Sequence, residues 1–275
     1  MADPISARPR SNDSTNLMFL RTLSFIASAV LFPALALLVP SPVFGQPTGQ
    51  SAGEPGAKSG GPVPRTQDGK PDLSGLWQRP YVPDMTKTTK DQQGTADLPF
   101  TEAGLKEWKA YDAAKGDYTG ACLPFGLMRS MNSPDPIQIM QSPKYVALLY
   151  EQNTWFHVIP IDKKHGNGVP TWFGDSIGHW DGDTLVVDTV NFNGRTRLDT
   201  IGHPHSDALH VMERFTRTDA MHIAYEVTID DPKIFTKPWT NKRTFTLRTD
   251  WEIMEYSCEE NNKDLYEGHL KPPAR

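Results

Sequence analysis

The chain has 275 residues, with 33 acidic against 28 basic side chains and a net charge of −5 at pH 7. A mildly acidic chain without a basic block argues against a nucleic-acid partner held through its phosphates. Seven Trp, twelve Phe and eight Tyr supply the bulk for a core, which excludes disorder throughout.

The first element is an apolar, uncharged run over 22–39, preceded by Arg8, Arg10 and Arg21 and followed by the small and turn-forming residues 41–45. That order is the one of a secretory signal, with cleavage expected near Gly45. A retained membrane anchor is the alternative, because the run is nearly long enough to span a bilayer; Pro33 in its middle weakens a spanning helix. Residues 46–72 are rich in Gly, Pro, Ser and polar side chains and read as a flexible linker, so order is expected from Leu73 and a single β-rich domain over 73–275. Export predicts a periplasmic or secreted protein, with no membrane contact once the signal is removed. The chain has two cysteines, and in an exported protein Cys122 and Cys258 read as a disulfide, two buried free thiols being the alternative.

Thr101 caps a helical pattern over about 102–114, with Leu105, Trp108 and Tyr111 (or Asp112) at helical spacing. Short strands follow: 137–141 and 145–151 around a Pro turn, 155–161, then 176–180 and 183–192 flanking Asp181-Gly182, a strong hairpin signal. Residues 209–216 and 222–229 form another pair, and 243–248 with 251–256 a last one around Thr249-Asp250. About nine or ten closely spaced strands with no βαβ alternation predict a mostly β protein, an antiparallel barrel or sandwich with one helix.

Gly75-Leu-Trp77 at the first ordered strand, followed by a meander, resembles the G-x-W start of lipocalin-type (calycin) barrels. That resemblance implies a barrel whose Trp closes the floor and whose interior holds a small apolar ligand. The segments 68–77, 178–187, IGHPHSDALH at 201–210, TIDDP at 228–232 and 258–262 resemble an uncharacterised family of exported bacterial proteins. The similarity runs through most of the chain from Arg65 onward; it implies an address and one continuous domain, and carries no activity.

Four groups of residues bear on chemistry. His203, His205 and His210 lie within one short stretch, with Asp207 between them and Glu213 just beyond. If the stretch is extended, His203 and His205 share a side, and with His210 they make a candidate site for zinc or a similar divalent metal. Without a metal, His205 or His210 moves a proton while Asp207 or Glu213 fixes its tautomer; a rigid structural loop is the third reading. Second, Gly174-Asp-Ser176-Ile-Gly178 matches G-x-S-x-G and, with Asp207 and His210, resembles the triad of GDSL esterases. A strand rather than a helix follows Ser176, which argues against a nucleophile elbow. Third, Asp181, Asp183, Asp188, Asp230 and Asp231 lack the ligand spacing of a calcium loop and suit turns. Fourth come the aromatic residues: Trp155, Trp172, Phe173, Trp180, Phe192, Trp239 and Trp251 fill a core or line a cavity, with Glu151 and His157 as polar groups that orient a ligand. Glu151, His157, Trp172 and Trp180 are the substrate-binding candidates.

No phosphate loop, C-x-x-C, C-x-x-C-H or H-E-x-x-H stands in the sequence, so nothing points to nucleotide, covalent haem, iron–sulfur or zincin chemistry. The sequence therefore predicts an exported small-molecule-binding barrel acting as a non-redox His/Asp acid–base enzyme, a lyase, isomerase or hydrolase, with no required cofactor and an apolar or aromatic ligand. A lipocalin-like carrier without catalysis and a divalent-metal-dependent hydrolase or lyase are the alternatives.

Overall fold

The computed structural model describes residues 60–112, 117–260, 262, 263 and 267. They belong to one compact unit, Pro55–Arg275. The expected signal segment and cleavage point lie outside the described residues. Among the described residues no helix is long and apolar enough to cross a membrane.

Strands β1 (Gly75–Gln78), β2 (Gln92–Gln93), β3 (Ile137–Gln141), β4 (Tyr145–Tyr150), β5 (Phe156–Pro160), β6 (Asp175–Asp181), β7 (Thr184–Val190), β8 (His210–Arg217), β9 (His222–Asp230) and β10 (Trp239–Leu247) form one antiparallel sheet. Its order is β5-β4-β3-β1-β10-β9-β8-β7-β6, with β2 added on β10. The chain thus makes two meanders, β3–β5 and β6–β10, and β1 joins them by pairing with both β3 and β10. The ends β5 and β6 approach each other through a bridge between Ile161 and Gly178, where the Asp162 amide donates to the Gly178 carbonyl at 2.8 Å. The result is a mostly β, nearly closed barrel, one of the two antiparallel architectures expected. Gly178 sits where closure is tightest. A Cβ there would meet Ile161 Cδ1 at 2.9 Å and Ile159 Cγ2 at 3.0 Å, so a side chain would force the seam open.

Alternation decides what faces inward. β8 reads Val211, Glu213, Phe215 and Arg217 buried, with His210, Met212, Arg214 and Thr216 outside. β9 and β10 do the same with Ile223, Tyr225, Val227 and Ile229, and with Trp239, Asn241, Arg243 and Phe245. The apolar ones among these join Trp77, Ile137, Ile139, Leu148 and Ile159 in one core. Trp77 is fully buried and its indole donates to the Leu73 carbonyl at 2.9 Å.

Four sequence expectations change. Order begins before Leu73: Arg65 forms a fork with Asp183, Thr66–Lys70 closes a turn, and the Gln141 amide bridges the Pro71 carbonyl and the Leu73 amide. The polar composition of 60–72 hid these specific partners. Helix α1 spans Glu102–Ala110 and stops at Tyr111, which is extended; residues 113–116 lie outside the described residues. α1 packs through Gly104 and Trp108, while Leu105 stays 38% exposed. A Cβ on Gly104 would come within 2.2 Å of the Ile234 carbonyl. Residues 251–256 form no strand, because β10 pairs with β9 and β1 and leaves no free edge for them. Finally, a short helix α2 (Leu127–Met131) has every residue buried, so it lacks the two-sided pattern that reveals helices in sequence.

Cys122 and Cys258 form the expected disulfide across 136 residues. It ties the segment after β10 to the α1–α2 connection, and a closure that long is worth roughly 2–4 kcal/mol.

Candidate functional site

The polar centre of the barrel is built from inward positions of three strands, β8, β9 and β10. Glu213 stands between Val211 and Phe215 on β8 and is 1% exposed. The Tyr225 hydroxyl on β9 donates to Glu213 Oε1 at 2.8 Å. Arg243 on β10 lies directly across from Tyr225, its guanidinium 5.1 Å from that ring. α2 plugs this region from one side: Asn132 Oδ1 accepts from Arg243 Nη1 at 2.5 Å, and the Asn132 amide in turn donates to the Leu198 carbonyl. A second buried guanidinium, Arg79, spends its hydrogens on the Ser130 and Asp135 carbonyls and lies 5.6 Å from the Tyr150 ring.

Part of this centre is unsatisfied. Glu213 Oε2, Arg243 Nε and Arg243 Nη2 are buried with no hydrogen-bond partner among the described residues. An unpaired buried polar group costs about 1–3 kcal/mol, more when charged, so this centre carries hydrogen-bonding capacity that the described residues do not use. Burial pushes the Glu213 carboxyl up to about 7, against the opposing pull of the Tyr225 hydrogen bond and the Arg243 charge. Burial also lowers Arg79 to about 10 and lowers Arg243. The Tyr150 and Tyr225 hydroxyls are raised, first by burial and then by the Glu213 charge.

A second inward group joins β5, β6 and β7. His157 Nε2 lies 2.6 Å from Ser176 Oγ, and Ser176 Oγ lies 2.8 Å from Thr189 Oγ1. His157 Nδ1 is buried without a partner, and burial lowers this imidazole to about 4, so it is neutral. The serine of the G-x-S-x-G match therefore meets His157. It does not meet His210, which stands on the outer face of β8 with its Nε2 2.9 Å from Asp188 Oδ1.

The predicted histidine cluster disperses. His203 Nδ1 lies 2.6 Å from Asp199 Oδ2, and its ring stacks on Trp108 at 4.3 Å between centroids. Asp199 is fully buried and also accepts from the backbone amides of Met85, Gly202 and His203. His205 is buried elsewhere, with Nε2 2.5 Å from Thr196 Oγ1 and Nδ1 3.0 Å from the Ser206 carbonyl. Both its nitrogens are used, and burial lowers it. Asp207 is exposed and paired with Lys233. Of the expected acid–base set His205, His210, Asp207 and Glu213, only Glu213 faces the barrel interior. The odd spacing of His210 and Glu213 on one strand puts them on opposite faces.

The metal set of His203, His205 and His210 is likewise not assembled. Among the described residues, the group whose ligand atoms lie within 4.8 Å of one another is Asp84, Asp199 and His203. There the His203 nitrogen and the Asp199 oxygen are at hydrogen-bond distance, a separation suited to a shared proton. Two ligands each about 2.0–2.2 Å from one tetrahedral ion stand farther apart.

Of the ligand-orienting candidates, His157 is inside the barrel. Trp180 has inward parity but is half-buried near Lys70, whose ammonium lies 5.8 Å from its ring. Trp172 is half-buried in the loop before β6. Glu151 accepts from the Met254 amide and so anchors the segment after β10. That segment borders a surface cleft of about 270 Å³ lined by Asn153, Trp155, Tyr256 and Cys122, among others. Behind Trp155 the rings continue inward: Phe173 lies 6.0 Å from Trp155, 5.7 Å from Tyr150 and 6.1 Å from His157.

Sequence reading missed Arg79, Tyr150, Tyr225 and Arg243. The signal was present for Arg243, since β10 alternates Trp239, Asn241, Arg243 and Phe245 on its inner face, and charge on an apolar parity marks a site. No protein-family model matches the chain, and no curated protein matches it. Among solved structures the chain is similar to a point mutant of the fluorescent protein UnaG, at 10% identity over 65% of this chain and 97% of that one, with a TM-score of 0.30.

Proposed function

We propose that the barrel interior is a small-molecule site and that the protein is a non-redox acid–base enzyme, a lyase, isomerase or hydrolase, with Glu213 as its proton-transfer group. The observation that carries this reading is the pair of buried, partnerless atoms Glu213 Oε2 and Arg243 Nη2 within one polar centre. A carrier for an apolar ligand needs no such centre. A carboxyl held near 7 can give or accept a proton at neutral pH, which is the property a general acid–base group requires. Tyr225 fixes one oxygen of Glu213 and leaves the other free for a substrate. Trp155 borders the surface cleft and meets Phe173 edge-on, and Phe173 in turn lies against Tyr150 and His157 of the interior. The disulfide supports an oxidising compartment, in keeping with export to the periplasm or medium and with the resemblance to exported bacterial proteins.

The test is retention and turnover by the full chain. Protein is incubated with a small-molecule extract and washed, and the retained compounds are identified by mass spectrometry over time. Wild type is expected to convert a compound that Glu213→Gln binds unchanged. Equal retention without conversion by both proteins makes the barrel a carrier. No retention by either rejects the interior site.

A further inference from the structure

We infer that the molecule this barrel takes is a carboxylic acid, its carboxylate seated side-on against the Nε–Nη2 edge of Arg243. The inference rests on the reading of the interior as a small-molecule site and names the ligand's chemical class. A guanidinium presents Nε–H and one Nη2–H in parallel along one edge, the spacing that two oxygens of a carboxylate match with two charge-assisted hydrogen bonds. In Arg243 those two nitrogens are the buried atoms without partners, while Nη1 is already committed to Asn132. Those two nitrogens together make a complete bidentate edge.

Charge points the same way. Four ionisable groups act on one another here: Arg79, Arg243, Glu213 and the phenol of Tyr225, with Tyr150 beside Arg79. Arg79 has the Asp135 carboxylate as a neighbour and three hydrogen bonds to backbone carbonyls. Arg243 has Glu213 as its acidic neighbour, yet no Glu213 oxygen bonds the open edge. Burial raises Glu213, and whenever that carboxyl holds its proton Arg243 keeps a positive charge with no paired carboxylate. A buried, uncompensated cation is among the costliest features a fold can carry, and a monoanion removes it. A doubly charged phosphate monoester would overshoot that balance next to Glu213. A carboxylate matches it, and a protonated Glu213 Oε2 is then a hydrogen-bond donor toward the same guest. Phe215 and Phe245, each 5.0 Å from the Tyr225 ring between centroids, give this centre aromatic neighbours that suit an apolar or aromatic body on the acid.

The test is nuclear magnetic resonance of the full chain, following the guanidinium Nε–H of Arg243, assigned by its loss in Arg243→Lys, and the indole N–H of Trp77 and Trp239. Formate, acetate and benzoate are titrated beside formamide, acetamide and benzamide. The expected result is that at least one acid shifts the Arg243 resonance and binds about tenfold or more tightly than its amide, the scale set by losing a charge-assisted hydrogen bond, and that Arg243→Lys erases this preference. Amides that shift the indole resonances as strongly as the acids, with Arg243 unmoved, overturn the carboxylate while leaving the interior site standing. If no probe moves either the indoles or Arg243, the unpaired atoms serve water alone, and the interior site itself is rejected.

Discussion

The loop around His203 and the barrel centre around Glu213 hold the same kinds of side chain and differ in how completely they are satisfied. In the loop, Asp199 accepts three backbone amides and faces His203, and both nitrogens of His205 have partners. In the barrel centre, Glu213 and Arg243 are as deeply buried but keep atoms that bond to nothing. A polar group with every bond made inside the chain has been spent on the fold, and its removal should cost stability. A polar group kept buried and unpaired lowers stability, and its removal should cost function instead.

The largest effect that separates the two regions is expected from Asp199→Ala. Losing the buried carboxylate strands the Met85 and His203 amides and the His203 imidazole, while the Gly202 amide keeps the Asp199 carbonyl; the change should lower stability by about 3–5 kcal/mol, read from the urea midpoint. A loss below about 1 kcal/mol would show that the loop is not a structural brace.

The next largest effect is a pair of opposed pH profiles. Glu213 is raised from 4.5 to about 7 in the fold. Its contribution is therefore full below pH 4.5 and lost as pH rises through 7. His157 is lowered from 6.5 to about 4, so its contribution is full above pH 6.5 and lost as pH falls through 4. Each is on the order of 3 kcal/mol, and over the shared window they offset one another. Glu213→Gln should unmask His157, giving stability that climbs from pH 4 to 6.5. His157→Gln should give the reverse, a decline from pH 4.5 to 7. Urea titrations at closely spaced pH values decide it; two variants with parallel profiles would refute the assignment of opposite shifts.

Arg243→Met is expected to have a smaller effect and the opposite sense to Asp199→Ala. It removes an unbalanced buried cation together with one hydrogen bond to Asn132 and the contact with the Tyr225 ring. Replacing such a charge by an apolar chain of similar volume is often neutral or stabilising, so the ligand-free protein should change by about 1 kcal/mol or less, or gain. A loss as large as that of Asp199→Ala would move Arg243 into the class of structural braces and remove the comparison.

How legible these regions were in the sequence follows from the kind of signal each one left. Strand parity and Asp-Gly turns are local, and β3 to β9 stand close to where alternation put them. The insertion of β1 between β3 and β10 depends on pairing between distant segments, which no local pattern carries. The histidines drew attention by density, but density along the chain is not convergence in space: between residues 199 and 210 the backbone turns at Gly202, bridges Pro204 to Arg197, and enters β8 only at His210. The polar centre left its sign in another form, as Glu213, Asn241 and Arg243 on inward parities of otherwise apolar strands. His157 and Ser176 were each singled out separately. Their contact required β5 and β6 to meet at the seam, which only closure of the barrel supplies.

The smallest effect belongs to His210, and it tests whether sequence proximity to Glu213 has any consequence. His210 is on the outer face, partly exposed, and shares Asp188 Oδ1 with His165, whose Nε2 lies 3.3 Å away. Partly exposed polar contacts of this kind contribute about 0–1 kcal/mol, and removing one histidine leaves Asp188 its other partner. His210→Ala should therefore shift the urea midpoint by about 0.5 kcal/mol or less and leave acid binding at Arg243 unchanged. The outer face of β8 is separated from Glu213 by the strand's own backbone, so a loss of acid affinity in His210→Ala could not arise from contact. It would mean that β8 shifts as a unit, and that the outer histidine pair sets the position of the inner carboxyl.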